Sequence, residues 1–138
     1  MADFIVKNVV KTLKKKHGDD ISDTRVLILG FSFKENCPDV RNTKIFDLYN
    51  SMKHYTQNVT VYDPVVDVKL VKHIYKFDIN TLPLQINSQK YDAIILGVPH
   101  SAFKDINLKS LLKPDGFVYD TRGFFKDSEH EGIEIERI

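Results

Sequence analysis

The apolar positions of this chain fall into two periodicities that take turns along its length. Ile5, Val6, Val9, Val10 and Leu13 form one stripe at helical spacing, which predicts an amphipathic helix over Ala2–His17. Lys7, Lys11, Lys14, Lys15 and Lys16 lie off that stripe and crowd the last turns, where a helix favours cations, and Gly18 can supply a left-handed cap. Residues 25–29 (RVLIL) are then nearly continuously apolar and too few for a helix, as expected of a parallel strand buried on both faces. Gly30 ends that run, and a polar loop leads to a second helix with Ile45, Leu48, Tyr49 and Met52 at i, i+3, i+4, i+7, opened by Asn42-Thr43. Residues 58–62 (NVTVY) predict a short strand that turns at Asp63-Pro64. A weak helix follows over 65–73, with Val68, Leu70 and Val71 apolar. Residues 75–89 show no clean period, and Pro83 excludes a regular central strand there. A second strongly buried strand spans 92–98, a short helix 107–112 and another strand 116–120. Ile133, Ile135 and Ile138 predict a closing edge strand after an acidic loop, 127–132, expected to be mobile.

Strands alternating with helices, with no internal repeat and no low-complexity linker, predict a single-domain α/β fold. It is a doubly wound, mainly parallel, Rossmann-like sheet with right-handed crossovers and helices on both faces. In such sheets ligands sit beyond the carboxyl ends of the strands. The polar residues that directly follow the four clearest strands are Ser32 and Lys34, Asp63, His100 and Ser101, and Thr121 and Arg122. Cations, hydroxyls and aromatic rings on one sheet edge suit a phosphorylated ligand that carries a ring, the arginine fork matching phosphate and the lysine acting as a point charge.

Composition narrows this further. A length of 138 residues suits one domain with its own core, and a formal net charge of +1 argues against nucleic acid as the main partner. One cysteine excludes an internal disulfide and suits a reducing compartment. No apolar run reaches membrane-spanning length, and residues 1–20 lack the layout of a signal peptide, so the expectation is a cytoplasmic protein without a membrane partner. The five histidines show no ligand spacing with cysteines or carboxylates, and no metal site is expected.

The loop after the first strand reads GFSFKENCPDVRNTK over residues 30–44. It resembles the signature G-x-x-F-K-x-x-x-x-D-x-R-x-[ST] of the C-terminal domain of the UDP-glucose/GDP-mannose dehydrogenase family. Its variant F-K-E-N-C-P-D-x-R-N-T-K is most similar to the branch acting on UDP-N-acetylhexosamines. Val61-Tyr62-Asp63-Pro64, the segment YDAIIL at 91–96 and Tyr119-Asp120-Thr121-Arg122-Gly123 resemble later segments of that domain in order, so the resemblance covers nearly the whole chain. It implies an NAD-dependent oxidation of a UDP-N-acetylhexosamine to its uronic acid, for surface polysaccharide precursors. It also implies that residues 1–20 join an upstream part and that 21–138 form the UDP-sugar-binding domain. Phe33, Lys34 and Arg122 would contact the substrate, and Arg41 would reach the NAD held by the other domain. The full-length enzyme would be a homo-oligomer.

Read without the resemblance, several of these residues have ordinary roles as well. Arg41 can pair with Asp39 beside the helix start, Asp39 can hold the loop through backbone N–H groups, and Asp63 can be a turn former. His100 is ambiguous. A dinucleotide-binding turn would need G-x-G-x-x-G after the first strand, and the sequence there is Gly30-Phe31-Ser32-Phe33-Lys34-Glu35. NAD is therefore expected to be bound mainly by another domain, and no catalytic residue is expected in this chain; Cys37 has no histidine base within its motif. A stand-alone nucleotide-binding module and a dimerisation domain remain open as alternatives.

Overall fold

A computed structural model describes residues 2–138. Helix α1 (Ala2–His17) buries Ile5, Val6, Val9, Val10 and Leu13, the stripe predicted from spacing. It closes on Gly18, whose N–H donates to the Lys14 carbonyl at 2.8 Å with φ at +89°. Strands β1 (Val26–Leu29), β2 (Val59–Tyr62), β3 (Tyr91–Leu96), β4 (Leu112–Asp120) and β5 (Glu134–Arg137) form one sheet in the order β2-β1-β3-β4-β5. Every pairing in it is parallel.

The continuous apolar character of β1 has a direct cause, since the strand is covered on both sides. Val26 and Ile28 pack with α1, with Leu48 and Met52 of α2 (Ile45–Lys53), and with Val71 of α3 (Val68–Tyr75). Leu27 and Leu29 face the opposite cluster, with Ile86 of α4 (Pro83–Asn87), Phe103, and Leu108 and Leu111 of α5 (Leu108–Leu111). Each fully buried aliphatic side chain contributes about 1.5–3 kcal/mol of burial free energy, and each face of the sheet carries a core of its own.

The departures from the sequence pattern are local. Helix α3 begins three residues later than the apolar positions suggested. Residues 65 and 66 are held in a turn by the Asp63 carboxylate, and Asp67 caps the helix by accepting from the N–H groups of Lys69 and Leu70. The helix stops at Lys76, in the left-handed region at φ +61°. The stretch without a clean period contains α4, started by Pro83 at its first turn and by Gln85, whose side chain accepts from the N–H groups of Thr81 and Leu82. Strand β4 starts at Leu112 rather than 116, with a register irregularity against β3. There Gly116 lies so close to the partner strand that a Cβ would stand 2.9 Å from the Tyr91 carbonyl oxygen. In the loop expected to be mobile, residues 127–129 form a 3-10 turn, and Arg137 of β5 donates to Phe125 O and Asp127 Oδ1. No helix among the described residues is long and apolar enough to cross a membrane.

Candidate functional site

The strand order sets where a ligand fits. From β1 the chain moves outward to β2 and then crosses back to β3, so β1 and β3 flank a switch point where the loops at their carboxyl ends part. A cavity of about 280 Å³ opens there. Ser32 and Phe33 enter it from the β1 loop, Gly97 and Val98 from the β3 loop, and Thr121 and Arg122 from the β4 loop. Thr43, Lys44 and Ile45 at the start of α2 close one side, with Ala2 and Ile5 of α1 behind. The two loops nearly touch at their roots. A Cβ on Gly30 (φ +90°) would lie 2.6 Å from the Val98 carbonyl oxygen, and one on Gly97 would lie 2.9 Å from the Gly30 carbonyl oxygen, so both positions require glycine.

The β1 loop is shaped by a buried carboxylate. Asp63, at the end of β2, has no exposed surface. Its Oδ2 accepts from Phe31 N–H at 2.7 Å, Ser32 N–H at 3.1 Å and His100 Nε2 at 2.8 Å. Its Oδ1 accepts from the N–H groups of Val65 at 2.8 Å and Val66 at 3.3 Å. Burial alone would push this carboxyl up, but the hydrogen bonds from His100 and from the backbone, Phe31 foremost, hold it below the ordinary carboxylate range. His100 is equally buried, and its Nδ1 accepts the Asn36 N–H at 2.8 Å. The imidazole is therefore neutral, with its proton on Nε2 facing Asp63. Ser32, His100 and an aspartate thus meet, yet Ser32 Oγ lies 3.2 Å from the same Nε2 that serves Asp63. That is not the relay of a hydrolase triad, in which serine and aspartate engage opposite ring nitrogens.

The β4 loop has its own buried carboxylate. Asp120 accepts from Arg122 N–H at 3.0 Å and Phe125 N–H at 2.8 Å, while Thr121 Oγ1 donates to the Leu96 carbonyl at 2.7 Å. These bonds fix the Arg122 backbone at the cavity rim, where its exposed guanidinium has no hydrogen-bond or salt-bridge partner among the described residues.

The predicted residues divide accordingly. Phe33, 57 % exposed, and Arg122 both line the cavity. Lys34 is exposed on the same loop, outside the cavity wall, and its carbonyl accepts from Ser32 Oγ. Arg41 makes a two-point pair with Asp39, Nε to Oδ1 and a terminal nitrogen to Oδ2, each at 3.0 Å. Hydrogen bonds from the Arg41 side chain and backbone bring the Asp39 carboxyl to about 2. Asp63 and His100 do stand at the expected sheet edge, but they are spent on each other and on the loop backbone. The sequence reading gave no role to Asn36, Lys44 or Gly97. Asn36 in the left-handed region at φ +59° is the kind of loop asparagine that could have signalled a fixed turn. The first turn of α2 is capped by the Thr43 hydroxyl, which accepts from Ile45 N–H at 3.1 Å, and carries the acidic Asp47.

Phe33 and the Arg122 guanidinium line one cleft, a chemistry that suits a polyanionic ligand with an aromatic part. The family model described as "UDP-glucose/GDP-mannose dehydrogenase family, UDP binding domain" matches residues 27–127. The chain belongs to that family. It is 38 % identical over 128 residues to a UDP-N-acetyl-D-glucosamine 6-dehydrogenase of Salmonella typhi, covering 92 % of this chain and 27 % of that protein. It is 37 % identical over 133 residues to Protein CapL of Staphylococcus aureus, covering 94 % and 30 %. The fold is shared with a solved UDP-D-ManNAc dehydrogenase from Pyrococcus horikoshii, with a TM-score of 0.76 and 18 % identity over 99 % of this chain and 30 % of that one. The chain therefore spans less than a third of the length of the curated relatives it matches.

Proposed function

We propose that the chain is the C-terminal, UDP-sugar-binding part of an NAD-dependent UDP-N-acetylhexosamine 6-dehydrogenase that makes uronic-acid precursors of surface polysaccharide in the cytoplasm. The observation that carries this reading is the cleft at the β1/β3 switch point, in a chain of the UDP-binding family, with Phe33 and Arg122 both in its lining. Arg122 takes the charged part of the ligand, Phe33 packs against a ring, and Lys34 supplies a second cation from the outer side of the loop. Residues 1–20 lead in from the dinucleotide-binding part, residues 21–138 hold the sugar nucleotide, and the full-length enzyme is a homo-oligomer.

NAD does not fit the edge of this sheet in the standard way. The amides of Phe31 and Ser32, which a pyrophosphate would need, are taken by Asp63. Phe31 itself is buried against Phe46, Tyr75 and Phe77. Arg41, exposed beside the cleft loop, is the group of this chain suited to reach NAD held by the other domain. When bound there, NAD supplies the hydride acceptor, while this chain binds and orients the sugar nucleotide.

The test is to assay the full-length enzyme with NAD against UDP-N-acetylglucosamine, UDP-N-acetylmannosamine, UDP-N-acetylgalactosamine and UDP-glucose, beside the purified 138-residue chain. NADH should form from an N-acetylhexosamine with the whole enzyme and from no sugar with this chain alone. Steady NADH production by the isolated chain, or a whole enzyme that oxidises only UDP-glucose, would overturn the proposal.

A further inference from the structure

His100 lies outside the cavity wall and fully buried, yet it is tied to both ends of the segment that carries the proposed ligand contacts. One end is Phe31-Ser32, whose N–H groups donate to the same Asp63 oxygen that His100 Nε2 engages. The other end is Asn36, whose N–H donates to His100 Nδ1 at 2.8 Å. Asn36 is further fixed by a reciprocal clasp with Ser101, since its Nδ2 donates to Ser101 Oγ and its Oδ1 accepts from Ser101 N–H, each at 3.0 Å. Between the two tied ends stand Phe33, Lys34 and Glu35, all exposed, with Phe33 N–H donating to the Asp39 carbonyl. One imidazole thus spans the β1 and β3 loops across the switch point.

We infer that His100 is a positioning residue for UDP-sugar binding: by accepting the Asn36 N–H and donating to Asp63, it holds the Phe33–Lys34 segment in its ligand-ready shape. This rests on the reading of the cleft as the UDP-sugar site. The role is specific to the neutral ring with Nδ1 as acceptor, because a side chain that keeps only the Asp63 bond releases the Asn36 end. The groups packed against the ring are Asp63 from β2, Ser32 and Asn36 from the β1 loop, and Phe103 from the 3-10 turn Ser101–Asp105. Asp63 is the charged one among them.

The test compares two substitutions in the 138-residue chain, read by UDP calorimetry, thermal melting and amide hydrogen exchange. His100→Gln retains a donor toward Asp63 and lacks an acceptor at the Nδ1 position. It should strip protection from the Asn36 amide, leave β1 and β3 protected, and weaken UDP binding about three- to ten-fold, the effect of one lost hydrogen bond. Asp92→Asn is the control for stability alone. Asp92 is buried at the opposite pole of the sheet, where it accepts from Arg25 N–H and Lys113 Nζ, so the change should lower the melting temperature and leave UDP affinity unchanged. If His100→Gln fails to fold, amide exchange in the wild-type chain decides. The Asn36 amide should then exchange as slowly as those of Phe31 and Ser32, because all three donate to buried acceptors of one network. Unchanged UDP affinity in the folded His100→Gln protein, retained Asn36 protection there, or an unprotected Asn36 amide in the wild type would each refute the inference. A wild-type chain that does not bind UDP would sink the reading of the cleft instead, and the exchange pattern would still judge the clamp.

Discussion

Asp63→Asn should be among the most damaging single-atom changes available in this fold. The carboxylate accepts five hydrogen bonds, three on Oδ2 and two on Oδ1, from the Phe31, Ser32, Val65 and Val66 amides and from His100. An asparagine offers one acceptor oxygen, and its NH2 must point at donors whichever way the amide turns. If the carbonyl keeps the Oδ2 side, the Val65 and Val66 amides lose their partner; the opposite flip abandons three donors. Each buried donor left unpaired costs about 1–3 kcal/mol, so the milder flip, with two such donors, predicts a loss of about 2–6 kcal/mol. At roughly 3–4 °C per kcal/mol for a domain of this size, the melting temperature should fall by about 6–24 °C. Urea denaturation followed by far-ultraviolet circular dichroism measures the loss directly. A change below about 0.5 kcal/mol would refute the claim that this carboxylate organises the loops. The pH dependence has the matching sign. Because the folded carboxyl titrates below its unfolded value, its contribution is complete above the unfolded value of about 3.9 and is lost as the pH falls through the lower folded value. Acid unfolding of the wild type should steepen in that window, and Asp63→Asn should flatten it.

Other substitutions test the cleft and its margins. Arg122→Ala should weaken UDP binding by calorimetry about ten- to hundred-fold, one lost charge-assisted contact, and Arg122→Lys should recover only part because the planar fork is gone. Lys34→Ala should cost less than Arg122→Ala, since Lys34 stands outside the cavity wall; an equal loss would place the ligand along the outer face of the loop. Cys37→Ser should leave the turnover of the full-length enzyme within a few-fold, and a loss of several orders of magnitude with folding intact would make that thiol part of the chemistry. Gly30→Ala should destabilise the chain by more than about 1 kcal/mol in denaturant titration, from the positive φ and the 2.6 Å approach to the Val98 carbonyl together.

Much of this architecture is legible from period alone. Helix α1 and the two central strands announce themselves because their apolar stripes serve one or both cores directly, and residues 26–29 could be placed on a doubly covered strand before any contact was known. The α3 boundary was hidden because it is set by side-chain caps, Asp63 and Asp67, acting on backbone amides rather than by apolar spacing. Helix α4 was hidden for a similar reason, since five residues give too little periodicity and its start depends on Pro83 and Gln85. At the site, spacing after strands placed Ser32, Asp63, His100, Thr121 and Arg122 at one edge correctly. It could not show that Asp63 and His100 turn inward to each other while Phe33 and Arg122 turn to the cleft. That division depends on which groups the β1 and β4 loops need to satisfy, a tertiary hydrogen-bonding problem that one-dimensional pattern does not encode.

The central claim is that a uridine diphosphate ligand occupies the switch-point cleft, and backbone amide chemical shifts of the labelled chain titrated with UDP test it most directly. The Phe33, Ile45, Val98, Thr121 and Arg122 amides should move together and saturate with one affinity, while those of Ile86, Phe103 and Leu111 on the opposite core stay still. Shifts confined to that opposite face, or no saturable shifts at the cleft, would contradict the account.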